Sequence, residues 1–383
     1  MLKFDLIVLG AGPAGSATAA TAARAGLRVA IVDKRAFPRD KLCGGGFTGR
    51  ALAYYQDIFG RQAPDIPTAV SRDLVFGAHG EVLGHYTDIP PISMMMRRDL
   101  DNNLLATALD FGAADYTGVG STALDIGNTE VSFGDTRLHA PVIVAADGVS
   151  SPTARALFGK AFDQETIAFA LEIERPEKDL PLRIDFGAAE WGYGWQFPKT
   201  NGVTIGVGGI NARNPDMKAA LRRYLNDLGL PDDIAIKGQF LPGGIFRKTP
   251  GAGRILLAGD AAGLVDPITG EGIAYAMKSG QLAALATQEA LRIGKPDTVL
   301  GLYTRSMRPI HRALRQARLI RPLMFQPFLR DGFVAGFRRS TRLRRDYMRL
   351  LAGETEYGPI TRAALARAPR HVWRSLTAKR NTA

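Results

Sequence analysis

The residues with the clearest chemical capacity stand near the start of the chain. Gly10-Ala11-Gly12-Pro13-Ala14-Gly15 has the GxGxxG spacing. Gly10 suits a tight turn, Gly12 lets backbone approach a pyrophosphate, and Gly15 lets a helix pack closely on a strand. Ala14 belongs to the same loop and joins the candidate binding set. Asp33 stands 18 residues past Gly15, where a carboxylate can accept both hydroxyls of a ribose, and Lys34 adjoins it. The chemistry implied is recognition of a diphosphate and a sugar. An acid at this point favours a free 2′-hydroxyl over a 2′-phosphate, which leaves NAD and FAD open.

Such a loop works only between particular elements. Residues 4–9 read as a short buried strand, 15–25 as an Ala-rich helix ended by Gly26, and 28–32 as a second strand. That is a βαβ unit, and the N-terminus of its helix offers free N–H groups and the positive end of a dipole to an anion. A purely structural Gly-rich turn would not need Asp33 in register.

Two further constellations follow. Residues 141–146 read as a strand ending in Asp147-Gly148-Val149-Ser150-Ser151, with Arg155 beyond. Residues 254–258 read as another, ending in Gly259-Asp260-Ala261-Ala262, then Pro267 and Gly270-Glu271-Gly272-Ile273 at the start of a long helix. The three motifs together resemble the flavoproteins of the p-hydroxybenzoate hydroxylase fold. The resemblance implies FAD, with Asp260 accepting from the ribityl chain and the helix after Gly270 and Gly272, beginning at Ile273, aimed at the flavin pyrimidine. A helix N-terminus there suits the negative charge of reduced flavin. Arg97-Arg98-Asp99-Leu100-Asp101 resembles that group's RxxFD helix start, with Leu100 in place of Phe; it implies Arg97 near the cofactor.

Between these motifs, residues 37–46 read FPRDKLCGGG, and residues 193–199 read YGWQFPK, followed by Gly206-Val207-Gly208. Both segments, and the GDAAGLVDPITGEGI wording of residues 259–273, resemble the geranylgeranyl reductase family. The resemblance implies Cys43 and Gly44 beside the flavin, with Cys43 also positioning substrate or helping to deliver a proton. It implies Tyr193, Trp195, Phe197, Gly206 and Gly208 along the substrate pocket. Aromatic rings suit an apolar polyprenyl chain. Halogenases of the same fold use an essential lysine, and no lysine occurs between Lys41 and Lys160. Gly263 stands where aromatic hydroxylases of the fold carry His.

The expected activity is FAD-dependent reduction of isolated C=C bonds in a geranylgeranyl-type chain. Two other readings stay open: an FAD-dependent monooxygenase of an apolar aromatic or quinone-like substrate, and a non-catalytic flavin-binding protein at a membrane. No second GxGxxG follows a strand, so electrons are expected from docking NAD(P)H or a small redox protein. Expected substrates are a prenylated lipid or a prenyl diphosphate. The oligomeric state is not legible.

Composition bounds the rest. The chain has 383 residues, 46% hydrophobic, enough for more than one core. The expected fold is α/β: a discontinuous Rossmann-type FAD domain (1–60, 95–160, 250–295), an antiparallel-sheet substrate domain (61–94, 161–249) and a basic helical C-terminal region (296–383). No apolar run reaches the ~18–20 residues of a membrane span. The N-terminus lacks a signal-peptide layout, and a lone cysteine excludes a disulfide framework or multi-cysteine zinc site. No metal is expected, and the location expected is cytoplasmic. His79, His85, His139, His311 and His371 lie outside every motif. Residues 301–383 hold 19 Lys and Arg against 4 Asp and Glu, with Arg305, Arg308, Arg312, Arg315, Arg318 and Arg321 at helical spacing. These are read as one face of one helix, with Phe325, Phe328, Phe333 and Phe337 as exposed aromatics beyond it. An anionic membrane surface or a diphosphate fits that charge, as does a simple solvated face. Nothing resembles a nucleic-acid-binding motif, and residues 379–383 are expected to fray.

Overall fold

The structure, a computed structural model, describes residues 1–231 and 235–358. Its first layer grows from short aliphatic runs. Leu6–Leu9, Val29–Asp33 and Ile143–Ala145 are apolar on both faces, as central strands of a parallel sheet must be. In space the order is Ile255–Leu257, Ile143–Ala145, Leu6–Leu9, Val29–Asp33, Ala114–Thr117, all parallel, with Gly251–Ala252 antiparallel at the edge. Leu6, Val8 and Ile31 pack against the helices Pro13–Arg24, Arg97–Asp110 and Ile273–Arg292. Ile7, Leu9, Ala30 and Val32 point the other way, onto an antiparallel meander that includes Glu130–Phe133 and Thr136–His139.

The second layer is a seven-stranded mixed sheet. Its order is Lys237–Leu241, Ala168–Arg175, Gly202–Ile210, Tyr193–Lys199, Leu182–Phe186, Leu74–Ala78, Glu81–Tyr86. Period-two alternation sorts its faces. Leu171, Ile173, Val203, Ile205 and Val207 pack on the helix Met217–Asp227. The opposite face, with Ala170, Glu172, Gly206, Gly208, Tyr193 and Trp195 in cross-strand register, looks toward the first layer. A small sheet of Gly46–Phe47, Ile92–Met95 and Thr68–Ser71 joins the two.

The C-terminal region departs from expectation. It is helical over its described residues, as expected, but the arginine row and the aromatics sit differently. Val299–Ser306 and Arg308–Phe325 are two helices broken at Met307, so the row from Arg305 to Arg321 does not lie on one helix. Ile310 and Leu314 enter the core of the first layer; Ala317, Met324 and Phe325 enter that of the second. Phe325 and Phe337 are buried, with ring centroids 5.5 Å from Phe186 and 4.6 Å from Phe76. Of the four aromatics expected on the surface, only Phe328 is fully exposed, and Phe333 is half-buried. Arg321 is buried too. Burial of apolar area decides these cases, because the helices close the end of the second sheet. Among the described residues no helix is long and apolar enough to cross a membrane. His371 and residues 379–383 lie outside the described residues.

Candidate active site

A cavity of about 910 Å³ lies between the layers. At one end it meets the glycine loop. Gly10, Gly12 and Ala14 line it, and Gly12 precedes the helix Pro13–Arg24 with no side-chain cap, so first-turn N–H groups remain free for a ligand. Gly15 is not in the wall. It sits behind, where a Cβ would fall 1.7 Å from the Gly10 carbonyl oxygen, so its part is close packing rather than contact. Asp33 Oδ2 accepts from the Ala11 N–H at 2.8 Å and Oδ1 from the Arg35 N–H at 2.9 Å, which orients the carboxylate beside Lys34.

Asp147, Gly148, Asp260, Gly270, Gly272 and Ile273 continue the wall. Asp147 Oδ2 accepts from the Thr153 N–H, while its buried Oδ1 has no partner in the protein. Burial pushes the Asp260 carboxyl above its ordinary range, against the pull of Lys41 and Arg97. The helix Ile273–Arg292 begins uncapped at Gly272, a second free N-terminus. Arg97 donates from Nε and Nη2 to the two oxygens of buried Asp101, at 2.7 and 2.9 Å. Arg39 reaches the same carboxylate at 3.3 Å.

At the loop of residues 43–45, several chains of contact converge. The Cys43 N–H donates to Glu172 Oε1 at 3.2 Å, and Lys199 Nζ donates to the Gly44 carbonyl. A Cβ on Gly44 would fall 2.5 Å from the Phe197 ring, so only glycine lets the loop lie against it. Tyr193, Trp195, Phe197 and Gly208 line the cavity with Cys43 and Gly44. The Tyr193 hydroxyl donates to the Thr269 carbonyl at 3.1 Å. Gly206 differs from expectation: it is not in the wall. A Cβ there would lie 2.4 Å from an indole carbon of Trp195, so Gly206 is the seat under that ring.

Sequence reading missed Arg39, Lys41, Glu172 and Lys199. Burial lifts the Glu172 carboxyl to about 7, opposed by the Cys43 N–H, and lowers the Lys199 ammonium to about 8. Glu172 Oε2 and Trp195 Nε1 are both buried without partners. One faint signal was present: in AFALEIER an acid, Glu172, alternates with small residues on the side opposite Phe169, Leu171 and Ile173.

Fold and site together define a two-layer flavoprotein. The family model for FAD dependent oxidoreductases matches residues 5–91. A menaquinone reductase of Mycobacterium tuberculosis is 37% identical over 73% of this chain and 75% of its own. A geranylgeranyl diphosphate reductase of Rhodobacter capsulatus is 30% identical over 77% and 78%. A geranylgeranyl bacteriochlorophyll reductase-like structure from Thermoplasma acidophilum superposes with TM-score 0.79 at 21% identity, covering 99% of each chain. The chain belongs to the geranylgeranyl reductase family of FAD-dependent oxidoreductases. The residues present fit that cofactor: two uncapped helix N-termini, an oriented carboxylate at Asp33 and an orphaned acceptor on Asp147 border one cavity.

Proposed function

We propose that this protein reduces isolated C=C bonds in a polyprenyl chain. The observation that carries the reading is the shape of the cavity wall: the glycine loops of the first layer face an aromatic strip, Tyr193, Trp195 and Phe197, on the second. Residues 1–60, 95–160 and 250–295 serve as the flavin domain, and 61–94 with 161–249 as the substrate domain. In the flavin domain Gly10, Gly12 and Ala14 hold the diphosphate, Asp33 the ribose, Asp260 the ribityl chain, and the Gly272–Ile273 N-terminus the pyrimidine. Reduced FAD, when bound, supplies a hydride to one alkene carbon.

The chain's own work is placement and protonation. The aromatic strip presses an apolar chain flat and keeps water out. The Cys43 thiol gives its proton to the second carbon, and the protonated form of Glu172, held on the Cys43 backbone, returns a proton to the thiolate and is itself reprotonated from solvent. The relatives named for menaquinone and geranylgeranyl diphosphate share a prenyl substrate, which supports the reading. The electron donor is NAD(P)H docking transiently or a small redox protein. The protein works in the cytoplasm against an anionic lipid surface, through exposed Arg308, Arg312, Arg315, Leu319, Leu323 and Phe328.

The test is anaerobic. The FAD-loaded protein is reduced with dithionite and mixed with geranylgeranyl diphosphate, geranylgeraniol or a menaquinone. Flavin reoxidation with a gain of two hydrogens per double bond is expected by mass spectrometry for at least one of them. Reoxidation by none, or hydroxylated product formed only with oxygen, overturns the reading.

A further inference from the structure

Arg321 is the least expected residue in the cavity wall. The sequence pattern puts it on an exposed row of arginines, yet it is only 9% exposed and lines the cavity. Its Nη1 donates to the Gly243 carbonyl at 2.9 Å and its Nη2 to the Trp191 carbonyl at 2.7 Å, both neutral. Its buried Nε has no partner. Among the described residues no carboxylate forms an ion pair with it. The acid that acts on it, Asp266, is already held by the Ile268 and Thr269 N–H groups and the Tyr357 hydroxyl. A buried guanidinium without a counter-charge is costly, and a ligand anion removes that cost.

Two exposed cations, outside the cavity wall, add to the field at Arg321. Arg321 and Arg213 approach the Trp191 ring at 5.3 and 4.8 Å from its centroid. Arg318 stands one helical turn before Arg321. Burial lowers Arg321 to about 10; Asp266 opposes this, and Arg213 and Arg318 reinforce it. Arg321 therefore stays charged at neutral pH. Between Asp297 and Asp331 the sequence has no Asp or Glu. Trp191 itself adopts φ 55°, a rare backbone for a bulky residue, and this turn delivers its carbonyl to Arg321.

We infer that Arg321, flanked by Arg213 and Arg318 at Trp191, is a receiver for a phosphoryl oxyanion. The arginine fork matches phosphate geometry, and three positive charges match an anion better than a neutral quinone ring. Resting on the reductase reading, the ligand is the phosphate or diphosphate head of the prenyl substrate. Trp191 lies in the turn before the strand Tyr193–Lys199, whose Tyr193, Trp195 and Phe197 line the same cavity as Arg321 and Cys43. A chain held by its head at Arg321 runs along that aromatic strip toward Cys43.

The probes are inorganic pyrophosphate, geranylgeranyl diphosphate and geranylgeraniol, with FAD-loaded protein. Pyrophosphate binding, read by calorimetry, weakens about tenfold or more in Arg321→Gln and less in Arg321→Lys. Arg213→Ala and Arg318→Ala, on exposed positions that do not endanger folding, weaken it several-fold. In turnover, Arg321→Gln lowers the preference for the diphosphate over the alcohol by about tenfold, through KM. Unchanged pyrophosphate affinity in Arg321→Gln and Arg213→Ala, or no binding by the unaltered protein, overturns the inference. So does an unchanged diphosphate preference. If pyrophosphate binds through Arg321 but no prenyl substrate reoxidises the flavin, the anion site stands and the reductase reading falls.

Discussion

Cys43 and Glu172 stand 129 positions apart in sequence, yet the N–H of one donates to the carboxylate of the other. The pair carries a pH signature. Folding raises the Glu172 carboxyl from 4.5 to about 7, so the folded chain holds a proton that the unfolded chain releases. Stability from this source is fully present below the unfolded value and is lost as pH rises through about 7. Glu172→Gln is expected to flatten the fall in melting temperature across that window, measured by thermal unfolding from pH 4.5 to 8. An identical slope in both proteins would remove Glu172 as the titrating group. Lys199, lowered to about 8, has the opposite sign and acts at higher pH, so the two effects separate. Cys43→Ala is expected to slow single-turnover alkene reduction by about a hundredfold, the scale of a lost general acid, with flavin content unchanged. Cys43→Ser should recover part of the rate. The sequence exposes Cys43 through its flanking glycines. Of Glu172 it gives only the alternation with small residues, because a carboxylate in a strand reveals its burial only when both faces of the sheet are covered.

At the scale of the element, the strand Gly202–Ile210 shows how a glycine works through a neighbour. Of the two glycines of the GxG segment, Gly208 lies in the cavity wall, while Gly206 carries the Trp195 indole. Gly206→Ala is expected to push the indole into the cavity, at a stability cost of about 1–3 kcal/mol. Substrate KM should rise while the flavin content, read from absorbance, stays. Equal KM in both proteins would show that the ring does not border the substrate. Gly15→Ala should act at the other layer: a Cβ 1.7 Å from the Gly10 carbonyl separates helix from strand, and the purified protein is expected to lose its flavin. The βαβ loop was legible because turn, helix start and strand end all lie within one short stretch. The break at Met307 was not, since apolar spacing continues across it and only packing on two cores bends the chain there.

On the scale of the whole molecule, the helix Arg308–Phe325 ties the layers together and shows its outer face to solvent. Leu319 and Phe328 are 79% and 80% exposed beside exposed arginines. The full chain is expected to sediment with vesicles containing phosphatidylglycerol and to stay free of neutral phosphatidylcholine vesicles. Binding should fall as salt rises through physiological strength, and in Leu319→Glu and Phe328→Glu. Salt-independent binding, or none, would remove the lipid-surface role while leaving the cavity chemistry in place.

By itself the sequence determined the parts whose geometry is local. Glycine turns, uncapped helix starts and the acid closing a strand need only a few consecutive residues, so dinucleotide binding and the α/β fold could be read directly, and FAD came with the resemblance of three spaced motifs. Only the tertiary structure decided which polar side chains lost their water. Glu172 is lifted, Lys199 lowered and Arg321 left without a counter-ion because two layers and a bridging helix close around them. Burial of that kind depends on what packs against a residue, and its neighbours in sequence do not carry the information.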